Sequence, residues 1–341
     1  MVTDSDGNSA LSDVPLDPPG AGEFVLRLEA CGLCGTDLVK IDLRRRSRSG
    51  DAEPIILGHE LVGRVERVGS EVPWSVGQRV VVAHHVPCGR CRLCREGAET
   101  SCPQYRRNLL APGGFSESVL IREPAARHST FAFEDGHDAR DLVFLEPLAC
   151  VLRSIDRARL PDDGQALILG AGSMGLLHLL ALQVTHPRVA CVVLDRDEQR
   201  LDEAKQRGAE SAVTMLGDLE LSRAAERGMF DAVFDTIGQP KLLDDALKQL
   251  RAGGTAVLFA HGPTDRPLSV DFHRVFRNEL TITSSYSSGR RDQVRAYELL
   301  ASSQVRPGTL VTHTFPLSQF DEAVRAVQNR EALKAILTDD S

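Results

Sequence analysis

Residues 165–184, QALILGAGSMGLLHLLALQV, constrain the fold more than any other part of the sequence. A short apolar run at 166–169 is followed by three glycines and then by a long helical pattern. Gly170 allows a tight turn, Gly172 allows a pyrophosphate to approach the backbone, and Gly175 allows the helix to pack against the strand. The spacing predicts a strand, a glycine-rich turn and a helix that together can bind a dinucleotide.

The residues after the first two glycines favour the same ligand. Ser173 and Met174 open the helix, where free N–H groups and the helix dipole stabilise a phosphate. Asp195 ends the next apolar run, VACVVLD, where an acidic residue accepts hydrogen bonds from ribose hydroxyls. Because this carboxylate repels a 2′-phosphate, NAD is favoured over NADP. Arg196 and Arg200 lie close by and leave NADP as the alternative.

Strand and helix patterns alternate through the second half of the chain. Further apolar runs occur at 230–236, 254–260 and 280–285, with a helical stretch near 240–250. This alternation predicts a doubly wound parallel α/β sheet. Before residue 150, short apolar runs are interrupted by glycine and proline, which indicates a β-rich, barrel-like domain.

Four cysteines lie within fifteen residues in the segment PCGRCRLCREGAETSCP. Cys88, Cys91, Cys94 and Cys102 can supply the four thiolates of a tetrahedral zinc site. An iron–sulfur cluster is the competing interpretation, because closely spaced cysteines suit it as well. A zinc ion with four protein ligands has no open position, so this site is predicted to be structural.

Three other clusters, CGTD, GHE and EPLAC, offer a second set of metal ligands. These are Cys34, His59, Glu60 and Glu146. One thiolate, one imidazole and one or two carboxylates suit a catalytic zinc that keeps a position for water or substrate. Neighbouring residues on a regular strand point to opposite faces, so His59 and Glu60 can share one ion only if the backbone bends there.

Composition narrows the class of partners. The formal net charge of −8 and pI near 5.7 argue against a nucleic-acid partner. The most apolar helical stretch, LLHLLALQV, is far shorter than a membrane span, and the polar start MVTDSDGNSA lacks the pattern of a signal peptide. Eight cysteines without that signal favour reduced thiols, so we expect a soluble, cytoplasmic protein.

Together these motifs resemble the zinc-dependent medium-chain alcohol dehydrogenases, nearest to the sorbitol and polyol dehydrogenase branch. The likeness spans roughly residues 14–338 and includes GHELVGRVERVGSEV, the cysteine segment, GGFSESVLI and the glycine motif. It implies a GroES-like catalytic domain, 1–150 and 287–341, with a zinc lobe at 84–104. A Rossmann-type NAD domain, 151–286, is inserted in it. It also implies two zinc ions per chain, and homodimers or homotetramers.

The resemblance also assigns roles to individual residues. Cys34 and His59 are expected to bind the catalytic zinc. Glu60 and Glu146 compete for the third protein position; we place Glu60 slightly ahead and expect Glu146 close behind. Asp37 is expected to accept the other ring N–H of His59 and so to fix its tautomer.

The implied reaction is oxidation of a secondary alcohol, most simply a polyol, cyclitol or sugar, to the ketone with NAD. Thr36 is expected to accept the substrate proton. Many relatives end the proton relay with a histidine where this chain has Val39. The proton must then reach solvent by another route: through cofactor ribose hydroxyls, a water chain, or His84 or His85. A structural role suits either histidine better.

Two segments leave the substrate open. Residues 41–54, IDLRRRSRSGDAEP, are predicted to be a loop. Its arginines are either exposed to solvent or attract an anionic substrate such as a sugar phosphate. They are Arg44, Arg45, Arg46 and Arg48. Residues 105–108, YRRN, are a second candidate substrate contact. A threonine-type or sugar-phosphate dehydrogenase is therefore the alternative enzyme, and a non-catalytic NAD-binding sensor is the alternative class.

Overall fold

The computed structural model describes residues 2–3, 9–10, 12–47, 57–107, 109–217, 229–262 and 266–339. The chain divides into two compact units. The first unit comprises Met1–Pro147 and Ser288–Ser341, and the second unit is Leu148–Ser287. From the sequence we expect these divisions after residues 150 and 286.

The described strands are, in chain order, β1 Val2–Thr3, β2 Ser9–Ala10, β3 Phe24–Gly32, β4 Glu60–Val68, β5 Arg79–Ala83, β6 Leu110–Ala111, β7 Ser118–Ile121, β8 Thr130–Ala132, β9 Gln165–Leu169, β10 Ala190–Leu194, β11 Ser211–Val213, β12 Phe230–Asp235, β13 Leu250–Leu258, β14 Thr281–Ser284, β15 His313–Pro316 and β16 Ala335–Thr338.

The described helices are α1 Gly35–Ser47, α2 Arg92–Arg95, α3 Ala125–His128, α4 Ala139–Leu142, α5 Leu145–Ala158, α6 Ser173–Thr185, α7 Glu198–Gln206, α8 Pro240–Leu247, α9 Phe272–Arg277, α10 Arg290–Ala301 and α11 Phe320–Gln328. Short 3₁₀ turns lie at Glu99–Ser101, Pro307–Leu310 and Leu317–Gln319.

The first unit is built on an eight-stranded sheet in the order β15-β16-β3-β4-β5-β8, with β7 also paired to β3 and β6 to β7. All of these pairs are antiparallel except β15 with β16. Strand β3 pairs with three partners, and its side chains enter the core between the sheet and α11. The pairing of β3 with β4 aligns Gly32 with Glu60. This register brings two of the segments that carry candidate metal ligands side by side.

The second unit contains a six-stranded, wholly parallel sheet in the order β11-β10-β9-β12-β13-β14. Strands β9 and β10 are buried along their whole length, as expected for a sheet covered on both faces. The chain reverses its direction across the sheet between β9 and β12, and ligands of such folds bind beyond the carboxyl ends of the strands at that point. The predicted fold class, a Rossmann-type sheet inserted in a β-rich domain, is confirmed.

One local prediction was wrong. Residues 41–47 were expected to be part of a loop, but they are the second half of α1. From Thr36 to Ser47 the chain has no glycine or proline, and the arginines favour helix, so a helix that starts after the Cys34 turn has no reason to stop at residue 41. Arg44 is buried in this helix. The remainder of the predicted loop, residues 48–54, lies outside the described residues.

Candidate functional site

Three of the predicted catalytic-zinc ligands meet in the first unit. Cys34, His59 and Glu60 each offer one ligand atom, and these atoms all lie within 4.8 Å of one another. Cys34 sits in the turn between β3 and α1, and Glu60 is the first residue of β4. His59 and Glu60 are buried, whereas Cys34 is half-buried. The cluster therefore combines a thiol, an imidazole and a carboxyl group where β3 ends and β4 begins, at two interior strands of the sheet.

A turn at Gly58 explains how consecutive residues reach one point. Gly58 has φ of +78°, and a side chain there would place Cβ 2.6 Å from the backbone nitrogen of Phe115. His59 lies in this turn, before β4 begins, so strand alternation does not force its ring away from Glu60. This is the backbone bend that sharing of one ion by His59 and Glu60 requires.

Asp37 organises the cluster from the first turn of α1. Its carboxylate accepts hydrogen bonds from the backbone N–H groups of Gly58 (3.1 Å) and Cys34 (3.2 Å). His59 Nδ1 lies 3.4 Å from Asp37 Oδ1, within ion-pair distance but longer than a usual hydrogen bond. Burial alone would raise the pKa of Asp37, but His59 and the N–H of Gly58 lower it. The arrangement leaves Nε2 of His59 available to a metal ion.

Glu60 forms a buried ion pair that sequence analysis missed. Lys334, in the turn before β16, donates from Nζ to Glu60 Oε2 and to the backbone carbonyl of Leu33 (3.2 Å). Both charged side chains are almost fully buried. Burial alone would lower the pKa of Lys334, but the charges of Glu60 and Cys34 raise it. At Gly32, a Cβ atom would lie 1.8 Å from Glu60 Oε2, so the pair fits only against a glycine.

A weak signal for Lys334 exists in the sequence. It is one of only five lysines, and it interrupts the apolar run ALKAIL near the carboxyl terminus. A lysine in such a run requires a partner, but 274 residues separate it from Glu60. Only the pairing of β16 with β3, next to β4, shows which carboxylate that partner is.

Two other predicted catalytic residues, Glu146 and Thr36, lie outside the cluster of three ligands. Glu146 lies in the first turn of α5 and is not a member of the cluster of three. Thr36 lies in the first turn of α1, half-buried, and its backbone N–H donates to Cys34 Sγ at 3.5 Å. Val39, on the same helix, is 46 % exposed.

The four-cysteine segment forms a compact cluster, as predicted. Ligand atoms of Cys88, Cys91, Cys94 and Cys102 all lie within 4.8 Å of one another. Sγ of Cys94 is 3.5 Å from that of Cys91 and 3.9 Å from that of Cys88. Zinc–sulfur bonds of about 2.3 Å in a tetrahedron separate the sulfurs by about 3.8 Å, so the spacing fits a zinc ion.

Backbone donors also prepare this cluster for a cation. The N–H of Cys88 points to Cys102 Sγ (3.4 Å), and the N–H of Cys91 points to Cys88 Sγ (3.3 Å). Donors of this kind, foremost the N–H of Arg90, lower the pKa of Cys88 to about 6, whereas burial raises that of Cys94 to about 12. Four thiolates therefore coexist at neutral pH only with a bound metal ion.

The glycine motif has the geometry that dinucleotide binding requires. Gly170 follows β9 with φ of +101°, and a Cβ at Gly175 would lie 1.8 Å from the carbonyl oxygen of Gly170. Both glycines are thus required by the backbone conformation and the packing of the turn, whether or not a ligand is bound. Gly172, the N-cap of α6, differs: the nearest atom to a Cβ there is Arg200 Nη1 at 3.8 Å. The space at Gly172 and the N–H groups of Ser173 and Met174 fit a pyrophosphate.

Asp195 is buried at the carboxyl end of β10, beside this turn. Its Oδ2 accepts the backbone N–H of Ala171 (2.8 Å) and its Oδ1 that of Asp197 (3.1 Å). A carboxylate can accept about four hydrogen bonds, so Asp195 can still receive ribose hydroxyls. Arg196, the next residue, is exposed. Asp195 therefore both shapes the glycine turn and offers acceptors beside it.

The residues suggested for substrate contact and proton transfer differ in exposure: Arg106 and Arg107 are exposed, and His84 and His85 are half-buried. Tyr105 is fully buried, so it offers no surface to a substrate, and Asn108 lies outside the described residues. His84 and His85 stack on each other with ring centroids 3.7 Å apart. Burial lowers the pKa of His85 to about 3. This packing supports the structural role for the two histidines.

Among the described helices, none has the length and apolar character needed to cross a membrane.

Comparison with known proteins agrees with this geometry. Residues 20–128 match the alcohol dehydrogenase GroES-like domain, and residues 172–302 match the zinc-binding dehydrogenase family. The chain is 33 % identical to a D-altritol 5-dehydrogenase of Agrobacterium fabrum, with 92 % of this chain and 91 % of the relative covered. It is 31 % identical to a sorbitol dehydrogenase of Arabidopsis thaliana, with 92 % and 87 % covered.

Two further comparisons bear on the cofactor and the substrate. An L-threonine 3-dehydrogenase of Legionella pneumophila is 29 % identical, with 96 % of this chain and 95 % of the relative covered. The crystal structure of an Escherichia coli alcohol dehydrogenase in complex with NADH superposes with a TM-score of 0.86 at 25 % identity, covering 99 % and 98 % of the two chains. The chain belongs to the zinc-dependent medium-chain alcohol dehydrogenase family, near its polyol dehydrogenase branch.

Proposed function

We propose that this protein oxidises a secondary alcohol of a polyol, cyclitol or sugar to the corresponding ketone, with zinc and NAD as cofactors. The observation that carries the proposal is the cluster of Cys34, His59 and Glu60, which is separate from the four-cysteine cluster. Three protein ligands of mixed type leave the fourth position of a zinc ion open, as catalytic zinc sites require. A bound zinc ion supplies Lewis acidity toward a substrate hydroxyl, and NAD supplies the hydride acceptor.

The chain's own residues have distinct roles in this proposal. Asp37 holds the ring of His59, so that Nε2 faces the metal. The Thr36 hydroxyl, two residues after Cys34 on the first turn of α1, would accept the proton of the substrate hydroxyl and pass its own proton to a cofactor ribose hydroxyl or to water. Glu60 is the third protein ligand, and Lys334 holds its second oxygen. Glu146 then remains a neighbouring acid rather than a direct ligand.

The alternative substrates are an amino alcohol such as threonine and a sugar phosphate. The Legionella relative favours the first of these. NADH formation measured at 340 nm over a panel of polyols, cyclitols, sugar phosphates and threonine distinguishes the three classes. Turnover of polyols or cyclitols at least tenfold above the other classes supports the proposal. Turnover of threonine alone would replace it, and no turnover in the zinc-loaded protein would favour the NAD-binding sensor.

Asp195 gives a test of the cofactor assignment. Replacing Asp195 by alanine is expected to raise KM for NAD by about 10- to 100-fold, because hydrogen bonds to a charged group contribute about 1.5–3 kcal/mol. KM for NADP should change far less, since its 2′-phosphate does not benefit from the carboxylate. Initial rates with both cofactors measure this.

A matched control removes a different aspartate of the second unit. Asp271 caps α9 through the N–H of Arg274 (3.0 Å), so Asp271→Ala removes a comparable bond away from the glycine motif. It should leave both KM values near those of the wild type. An Asp195→Ala enzyme that keeps its preference between NAD and NADP would remove the proposed role of Asp195.

Self-association is proposed through the second unit. Strand β14 is at the sheet edge and pairs only with β13 in the part of the chain that the structure describes. In α9, just before it, Phe272 and Phe276 are 81 % and 72 % exposed and stack with ring centroids 6.4 Å apart. An open strand edge beside an exposed aromatic pair suits a second copy of the chain, giving a homodimer or, with another contact, a homotetramer.

Sedimentation velocity tests this surface. The double variant Phe272→Ser/Phe276→Ser is expected to sediment as a monomer at micromolar concentration. Val76→Ser, which removes an exposed apolar side chain of the first unit, should keep the wild-type mass. A double variant with the wild-type mass would place the interface elsewhere. The spacing of the cysteines suits metal binding by reduced thiols, so we propose the cytoplasm, which fractionation of the producing cells tests.

A further inference from the structure

Four rings form a continuous column inside the first unit. His59 packs on His84 with centroids 4.6 Å apart, His84 on His85 at 3.7 Å, and His85 on Tyr105 at 4.6 Å. The planes of successive rings are tilted by 48°, 40° and 38°. The column begins at a ligand of the proposed catalytic zinc and ends beside the four-cysteine cluster.

The end of the column at Tyr105 packs against the four-cysteine cluster. Tyr105 is fully buried and packs in one apolar cluster with Cys94 and Cys102. Its hydroxyl donates to the carbonyl of Ser288 (2.6 Å) and accepts the N–H of the same residue (3.3 Å). Both hydrogen-bonding functions of the hydroxyl are thus used by one backbone position. The tyrosine ring therefore has little freedom as long as the cysteines are held in place.

The middle of the column is held through the backbone. His84 and His85 directly follow β5, whose last residue, Ala83, is aligned with Glu60 of β4. The carbonyl of His85 accepts a hydrogen bond from Gln293 Nε2 (3.2 Å), and Gln293 is buried. This register places His84 beside His59 and leaves little room for the two rings to shift.

The rings contact one another by packing, and the ring of His85 is in addition hydrogen-bonded to the backbone of Tyr105. Among the described residues, the buried Nδ1 atoms of His84 and His85 have no hydrogen-bond partner. Contacts of this kind transmit position, because a gap of even half an ångström forfeits much of their attraction. The orientation of a metal-binding imidazole in turn sets how well it binds the ion.

We propose that this column couples the two metal centres: the ordered four-cysteine cluster fixes Tyr105, which through His85 and His84 positions the ring of His59. Tyr105, His85 and His84 are thus positioning residues for the catalytic metal. The inference rests on the proposed function, because it assumes that Cys34, His59 and Glu60 hold that metal. It gives the structural zinc site an influence on a reaction in which it does not take part.

Cobalt provides the test, since Co²⁺ exchanged into the catalytic site reports its ligand geometry through visible absorption. Tyr105→Ala is expected to change this spectrum and to speed the loss of the catalytic cobalt to a chelator by about 10- to 100-fold. Tyr105→Phe keeps the ring and should behave like the wild type. Tyr297→Ala is the matched control, because Tyr297 packs on Phe131 and Phe133 in the same unit but outside the column.

A second pair of variants keeps the test decisive if Tyr105→Ala also loses the structural zinc. His84→Ala removes the ring that touches His59 and should speed cobalt release to a similar extent, whereas His84→Phe should restore slow release. In the double variant His84→Ala/Tyr105→Ala the two effects should not add, because both act through the same contact with His59.

The outcomes separate this inference from the proposed function. Additive effects of the two alanine variants, or an unchanged spectrum and release rate in both, would overturn the coupling while the catalytic metal site stands. If cobalt binding by the wild type does not depend on Cys34, the proposed function is overturned and the coupling with it. Fast release in both alanine variants, slow release in the ring-retaining variants and no additivity is the result we expect.

Discussion

Replacement of Cys34 by serine is expected to lower kcat by at least about 10³-fold while the protein stays folded. The thiolate is the strongest zinc ligand of the three, and the Lewis acidity of a metal ion contributes several kcal/mol to catalysis. Each tenfold loss in rate corresponds to about 1.4 kcal/mol, so a loss of about 4 kcal/mol gives this factor. Steady-state rates with the best alcohol substrate, alongside circular dichroism, measure both quantities.

Cys31 supplies the control for this variant. It lies three residues earlier, fully buried in β3, and it is not a member of either metal cluster. Burial raises the pKa of its thiol well above the ordinary value, so it remains protonated. Cys31→Ala removes a thiol of the same segment and should retain most of kcat. A Cys34→Ser enzyme with wild-type turnover would exclude Cys34 as a ligand of the catalytic metal.

The second large effect is expected at Lys334. Replacing Lys334 by methionine leaves the carboxylate of Glu60 buried without its cation, and breaking a buried ion pair in this way costs about 3–5 kcal/mol. The free energy of unfolding of the first unit should therefore fall by about that amount. Because Glu60 also loses the group that holds Oε2, we expect the catalytic metal to be bound less tightly as well.

A double variant separates the ion pair from the packing of the lysine side chain. Glu60→Gln/Lys334→Met removes both charges, so it should recover most of the lost stability without recovering activity. Lys248→Met, which removes a surface lysine paired with Asp245, should change stability little. Urea unfolding followed by fluorescence of Trp74, the single tryptophan, reports on the first unit. If Lys334→Met unfolds at the wild-type urea concentration, the pair with Glu60 does not stabilise the fold.

The sequence was most informative where the chemistry is local. The four cysteines lie within fifteen residues, and the glycine motif lies within one strand–turn–helix, so the spacing alone limits the geometry. The structure confirms the predicted strands at 166–169 and 230–236 to within a residue. Local order along the chain is enough to predict such features, because few other residues can alter them.

The remaining features depend on long-range pairing. The register of β3 with β4 brings Glu60 to Gly32, and β16 then brings Lys334 to Glu60. Nothing near any one of these residues in the sequence indicates that meeting. The third ligand depends on such pairing as well, and for this reason the sequence places Glu60 only slightly ahead of Glu146. The ring column was missed because adjacent histidines and a distant tyrosine carry no periodic pattern.

The wrong prediction at residues 41–47 has a different origin. A run of arginines was interpreted by its charge rather than by its helix propensity, although arginine is a good helix former. The helix that begins after Cys34 continues through Arg44, Arg45 and Arg46, and the side chain of Arg44 is buried. Charge indicated solvent exposure, but the apolar stem of an arginine can pack against a sheet while its head group reaches a polar partner.

The central claim, two different metal sites with chemistry at only one of them, is tested most directly by the zinc content of the purified chain. Zinc per chain is measured by atomic emission in the wild type and in Cys34→Ser, together with NADH formation on the best alcohol substrate. We expect two zinc ions with turnover in the wild type and one zinc ion without turnover in the variant. One zinc ion in both proteins, with turnover unchanged, would contradict it.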